Sequence, residues 1–166
     1  METRALVLQN SMDIDWEGLE RSLHEHFDVN AVAMEKNGDR RTSGAMRWAN
    51  RLCALIKTSR KGSRRICEPL QQCLIHKVSA SKNIACEECG AGMYEIFVPI
   101  VEIDEIDGFV GVCGRPYLDV ERIYTGYIHQ TIDVDQDKIK ALLPSLKPIG
   151  PRTIREIKQF ITSYHS

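Results

Sequence analysis

"ACEECGAGMYEIFVPIVEI", residues 85–103, and "GFVGVCGRPYL", residues 108–118, decide how this chain folds. Both are apolar and rich in β-branched residues, and the charged "DEIDG" (residues 104–108) between them supplies a turn. That pattern predicts an antiparallel hairpin with an ascending strand from about Met93 to Ile103. The first stretch begins with Cys86 and Cys89, spaced Cys-x-x-Cys, followed by two glycines. Four readings are open for the pair: metal or cluster ligands, a redox dithiol, the rim of a ligand pocket, or two buried thiols.

Upstream of the hairpin, "DIDWEGLERSLHEHF" (residues 13–27) spaces Trp16, Leu19, Leu23 and Phe27 at helical intervals, with Ser11 or Asp13 as N-cap. "VNAVAME" reads as a short strand, and "KNGD" as a tight Asn-Gly turn. A helix is expected from Met46 to about Thr58, burying Trp48, Leu52, Leu55 and Ile56, with Gly62 ending it. A second starts near Cys67 and carries Leu70, Leu74 and Val78, with Pro69 tolerated in its first turn. Downstream, "DQDKIKALL" and "RTIREIKQFITSY" read as two tail helices. The class is α+β, and the expectation is one domain over 1–166.

Composition narrows the function classes. The 166 residues are 43% hydrophobic and 27% charged with net charge −1, ordinary for a globular chain and unlike a dedicated nucleic-acid binder. An acidic residue at position 2 and a short apolar patch speak against a signal peptide. No run approaches the ~18 consecutive apolar residues of a membrane span. A cytoplasmic location is therefore expected, with the six cysteines as thiols, metal ligands or a redox site. Charge is uneven: residues 36–65 hold ten Lys or Arg against Asp39, a net +9 that leaves −10 elsewhere. Such a segment is a solvated basic face, a docking surface for an acidic partner, or a set of phosphate contacts.

Cys-x-x-Cys suits a soft metal because two thiolates on one turn converge, but a closed site needs four. Cys53 and Cys67, each on a central helix, are the candidates to join Cys86 and Cys89. The cofactor would be zinc or an iron–sulfur cluster, both of which accept four thiolates. Cys113 is the less favoured fourth ligand. With the hairpin turning near Glu105 it pairs near Phe97, roughly 26 Å from Cys89 at ~3.3 Å per residue unless the segment folds back. Cys113 shares a face with Phe109 and reads as a buried thiol or pocket wall, and Cys73 as a core thiol. A thioredoxin-like dithiol opens a helix, whereas this pair precedes a strand, which disfavours the redox reading. His24 and His26 stand two apart on a helix and diverge. No catalytic triad, nucleotide loop or paired carboxylate appears, so an enzyme is not expected.

Three stretches together resemble the PocR-type sensory domain, a ligand-binding module with a PAS-like antiparallel sheet and flanking helices. "NRLCALIKTSRKGSRRICEPL" (residues 50–70) is similar to that family's helix–Gly–helix segment. "CGAGMYEIFVPIV" (residues 89–101) is similar to its Cys-His-Ala-Gly turn and apolar strand, and "GFVGVCGRPYL" to its returning strand. The resemblance spans roughly Trp16 to Phe160, and its most specific element is the ordered trio Cys53, Cys67 and Cys89. Gly90 stands where the family usually has His, and Arg115 where it has Gln. Cys86 is additional to the trio and could replace the missing His as a fourth thiolate.

The resemblance implies signal sensing, with output through a partner protein, and leaves room for a homodimer. Without metal, the same region is expected to be a small-molecule pocket lined by Phe97, Val110, Val112, Cys113 and Tyr117, with Arg115 for an anionic group. A rival reading takes "LPSLKPIGPRTIREIKQFI" as similar to a DNA-binding helix-hairpin-helix at 146–157, aided by the basic segment 36–65. A Gly-Pro start to a docking helix is the plainer reading of that tail.

Overall fold

In the computed structural model, which describes residues 13–164, the hairpin forms the middle of a four-stranded antiparallel sheet. The elements are α1 (Trp16–Phe27), β1 (Asn30–Glu35), α2 (Arg51–Thr58), α3 (Arg60–Gly62), a π-helical turn (Ser63–Cys67), and α4 (Glu68–Ser81). There follow β2 (Ala85–Glu88), β3 (Met93–Glu102), β4 (Glu105–Pro116), α5 (Thr125–Ile132), α6 (Gln136–Leu142) and α7 (Pro151–Thr162). Strand order is β1-β4-β3-β2. An antiparallel sheet with flanking helices is the architecture expected of a PAS-like fold. None of the described helices is long and apolar enough to cross a membrane.

The hairpin turns earlier than the sequence suggested. Glu102 pairs with Glu105, leaving Ile103 and Asp104 as a two-residue tip, both at positive φ (49° and 62°). Such a turn matches the natural twist of the strands, and it brings "EIDG" into β4 instead of the loop. With a register shift between Val101, paired with Ile106, and Ile100, paired with Gly108, Phe97 pairs with Gly111, not Cys113. A second irregularity follows: Tyr94 pairs with Arg115 but Ile96 with Val112. Glu95 thus stands opposite the Cys113–Gly114 pair in a bulge, and Gly114 has φ +103°.

Side-chain alternation divides the core. Ala31, Ile96, Val98, Ile100, Val110 and Val112 point to one face, where Leu19 and Leu23 of α1 and Ile154, Ile157 and Ile161 of α7 cover them. Phe27 and Phe160 cross edge to face at 5.6 Å between those helices. On the other face Met34, Phe97 and Phe109 pack against Leu74 and Val78 of α4. A third cluster joins Leu52, Ile56, Ile66 and Met93 to Ile123, Ile128 and Ile139.

Helix starts and breaks follow side-chain capping. Asp15, not Asp13, caps α1 by accepting from the Gly18 amide at 2.9 Å, and Ser11 lies outside the described residues. α2 begins at Arg51 because Asn50, in extended conformation, accepts from the Cys53 amide at 2.7 Å. Residues 46–50 are consequently not helical. Gly62 does not end the first central helix. The break is at Ser59, extended at ψ 125°, whose hydroxyl accepts from the Gly62 amide. Gly62 lies within α3, where a Cβ would stand 2.2 Å from the Ile56 carbonyl oxygen.

Two elements carry little signal in the sequence. β2 ("ACEE") is four half-buried residues with no alternation in burial. α5 ("TGYIHQTI") has no side-chain cap, and burial of Ile128 and Thr131 holds it in place.

Candidate functional site

Helices α2 and α4, joined by α3 and the π-helical turn, arch over the half of the sheet that contains the bulge. Beneath the arch is a cavity of about 470 Å³, within the ordinary range of small-ligand sites. Its floor includes Met93 and Glu95 of β3, Gly111 and Cys113 of β4, and Asn30, Val32 and Met34 of β1. Gly111 is needed at this floor, because a Cβ there would lie 2.9 Å from both Met34 and Phe97. The roof and rim come from Trp48, Cys53, Ile56, Lys57, Ile66, Cys67, Glu68 and Gln71. The π-helical turn places Ile66 and Cys67 on the cavity, a use of π geometry common at functional sites.

The cysteines sort by face and not by spacing in the sequence. Cys53, Cys67, Cys89 and Cys113 all line the cavity. Cys86 does not, because it lies on β2 opposite Ile96 and packs against the α1/α7 face. Residues 89–92 form a tight turn in which the Cys89 amide donates to the Met93 carbonyl and the Gly92 amide to the Cys89 carbonyl. That turn folds Cys89 back beside the start of β3 and brings it to the cavity that Cys113 also lines. The expected set of Cys53, Cys67, Cys86 and Cys89 is therefore not brought together. Among the described residues no group of three or more His, Cys, Asp or Glu is arranged to hold a metal ion. Cys73, expected in the core, is exposed on α4.

Burial governs the chemistry of these thiols. Desolvation pushes Cys53 up to about 11 and Cys89 up to about 12, and raises Cys67 and Cys113 as well. All four are neutral thiols near pH 7 and weak nucleophiles in that state. Two asparagines steady them. Asn50 donates to the Cys53 sulfur at 3.4 Å and to the Gly114 carbonyl at 2.7 Å. Asn30 donates to the Cys113 sulfur at 3.7 Å and accepts from the Ala49 amide at 2.6 Å.

Of the residues expected to line a ligand pocket, only Cys113 does so. Phe97 packs against Phe109, with ring centroids 5.4 Å apart, in the cluster with Met34, Leu74 and Val78. Val110 and Val112 belong to the opposite face, and Tyr117 stacks on Tyr94 at 5.1 Å there. Arg115 donates to the carbonyls of Phe27, Lys147 and Pro148, fastening the end of α1 to the segment before α7. Gly90 faces the Ile66 backbone and Tyr127, outside the cavity lining.

Glu95 is the residue that the sequence reading passed over. It is a charged residue inside the apolar run "YEIFVPI" and shares a face with Met93 and Phe97, which is the signal that could have identified it. Desolvation pushes its carboxyl up to about 7, only partly offset by Lys57. At neutral pH it is a mixture of acid and carboxylate.

The basic segment 36–65 is dispersed over a turn, a loop and the arch. Arg40 is ion-paired with buried Glu20 at 2.7 Å, and Arg41 with Asp107 at 2.7 Å. In the tail, Gly150 precedes α7, whose apolar face is in the core, and Ile149 forms an isolated bridge with Tyr117 beyond β4. His24 and His26 each bond a backbone carbonyl, of Val29 and Ser22 respectively.

Residues 14–166 match a family model described as "Sensory domain found in PocR". No curated protein and no solved structure matches the chain. The match takes in the sheet, the arch and the cavity between them, and the chain belongs to the PocR sensory-domain family.

Proposed function

We propose that this domain senses a small molecule held in the cavity beneath the α2–α4 arch and relays its occupancy to a partner protein. The observation that supports this most directly is convergence. The three stretches of residues 50–70, 89–101 and 108–118 build the roof, rim and floor of one cavity of about 470 Å³. Most of its lining is apolar or sulfur-bearing, including Met34, Met46, Trp48, Ile56 and Met93. A ligand with an apolar body and few polar groups fits such a lining. Membership of a sensory-domain family and an apolar lining support binding over turnover.

Output to a partner follows from how the arch is made. α2, α3 and the π-helical turn are short, and Ser59 between α2 and α3 is extended, with ψ 125°. A ligand that contacts both floor and roof would shift the arch against the rigid sheet, and that movement is the signal a partner reads. A cytoplasmic location agrees with six free thiols.

This reading is preferred over a zinc or iron–sulfur site held by Cys53, Cys67, Cys86 and Cys89 because Cys86 is on the other side of the sheet. It is preferred over nucleic-acid binding because α7 is a core helix. The test is a thermal-shift screen of small amines, alcohols and carboxylates on wild-type protein and on Cys53→Phe, whose larger side chain enters the cavity. Binding to wild type that disappears in the variant is the expected result. Stoichiometric zinc by elemental analysis, or absorption near ~400 nm in an anaerobic preparation, would replace the small-molecule reading with a metal one.

A further inference from the structure

The Glu95 carboxyl is a lining group of the cavity, yet it accepts no hydrogen bond and enters no ion pair with any described residue. Its oxygens open onto the cavity, since no buried side-chain oxygen or nitrogen in the described residues lacks a partner. Half-buried Glu95 is largely withdrawn from bulk water with no hydrogen-bond partner among the described residues, which is costly, and a ligand that completes the carboxyl relieves that cost. The surrounding charges indicate which ligand. Lys57 of α2 lines the rim without reaching ion-pair distance. Arg40, also in the lining, is committed to Glu20. Glu68 of α4 and Asp39 of the turn after β1 add negative charge to the rim. On the β2 side, Glu87 stands opposite Glu95 in the sheet and is ion-paired with Lys77. The remaining titratable groups around the cavity, Cys53, Cys67, Cys89 and Cys113, carry no charge at neutral pH.

A cavity with one unpartnered carboxyl at its floor, further acids at its rim, a Trp48 ring and three methionines in its walls suits a cation with an apolar body. An ammonium–carboxylate hydrogen bond in a dry site is about twice as strong as its neutral counterpart, and an indole face attracts a nearby cation as well. We infer that the cavity is selective for a small monocationic amine, with Glu95 as its counter-ion. The inference rests on the small-molecule reading of the cavity and adds the chemical class of the ligand.

The experiment is isothermal titration calorimetry of the full chain with n-butylamine, 1-butanol and butyrate, three probes of one chain length that differ in charge. n-Butylamine is expected to bind tighter than both others at pH 8. Its affinity should rise from pH 5.5 to pH 8 as the Glu95 carboxyl loses its proton while the amine keeps its own. Glu95→Gln, close in shape, should weaken the amine at least about tenfold and leave 1-butanol nearly unchanged. The pH series on wild-type protein serves as the second measurement if that variant does not fold. Binding of 1-butanol as tight as that of the amine, or amine binding indifferent to both pH and Glu95→Gln, overturns the selectivity and leaves the cavity reading intact. Binding of none of the three overturns both.

Discussion

The Asn50 side-chain amide donates to the Gly114 carbonyl at 2.7 Å, and this bond ties the helix carrying Cys53 to the bulged strand carrying Cys113. The carbonyl oxygen of the same side chain caps α2. One buried residue thus fixes both the start of the arch and its height above the sheet. Asn50→Ala should lose the cap and leave Gly114 without a partner, costing about 2 kcal/mol by urea unfolding. Asn50→Asp keeps the cap and should recover part of that loss. Equal loss in both variants would show that the cap contributes nothing.

The Glu95 carboxyl makes stability depend on pH in a direction opposite to that of a salt-bridged acid. Its folded pKa of about 7 lies above the ordinary 4.5, so the folded chain holds this proton more firmly than the unfolded one. Its relative contribution is complete below about pH 4.5 and is lost as pH rises through 7. Between pH 5 and pH 8 the loss should be at most about 3 kcal/mol. Glu95→Gln should flatten that part of the profile and be the more stable protein at pH 8. A wild-type midpoint that rises from pH 5 to pH 8 through this group would contradict the assignment.

Ile103 occupies the tip of the hairpin at φ 49° with 89% of its surface exposed. A β-branched residue is strained in that region and has no packing to lose. Ile103→Asn should raise stability by about 0.5–1 kcal/mol without changing ligand affinity. Thermal unfolding of the two proteins side by side measures it.

Arg115 holds three backbone carbonyls, those of Phe27, Lys147 and Pro148. Arg115→Ala should destabilise the fold by about 2–4 kcal/mol while leaving cavity binding unaffected at temperatures below the onset of unfolding. A selective loss of affinity for anionic probes, with stability unchanged, would instead make Arg115 a ligand group.

Thiol labelling separates the cysteines by burial. Cys73 is exposed and should react first with an aromatic disulfide reagent at pH 8. Cys53, Cys89 and Cys113, raised by desolvation, should remain unmodified until denaturant is added. Peptide mass mapping after timed quenching gives the order.

Much of this architecture was legible from local pattern. The 3.6-residue spacing of Trp16, Leu19, Leu23 and Phe27 set α1, and the alternation in β3 and β4 set the hairpin, because those periods report directly which side of an element is buried. The trio Cys53, Cys67 and Cys89 also stood out, and all three reach one cavity. Cys86 was misplaced for a physical reason. Three residues of separation mean convergence if they sit on one turn, but here a strand ends between them. Cys86 follows the pleat of β2 to the far face while Cys89 enters the turn.

What the sequence determined by itself is the α+β class, the central hairpin and the family, all of which depend on contacts between neighbours in the chain. Only the tertiary structure decided which polar groups share a site. The two-residue tip at Ile103 and Asp104 and the bulge at Glu95 shift the register of β4, and a one-residue shift exchanges the faces of a strand. Alternation along each strand already puts Glu95 with Phe97 and Cys113 with Phe109 on one face, but the shifts decide that the two stand opposite each other, and the helices that roof them come from distant parts of the chain, which no local pattern encodes.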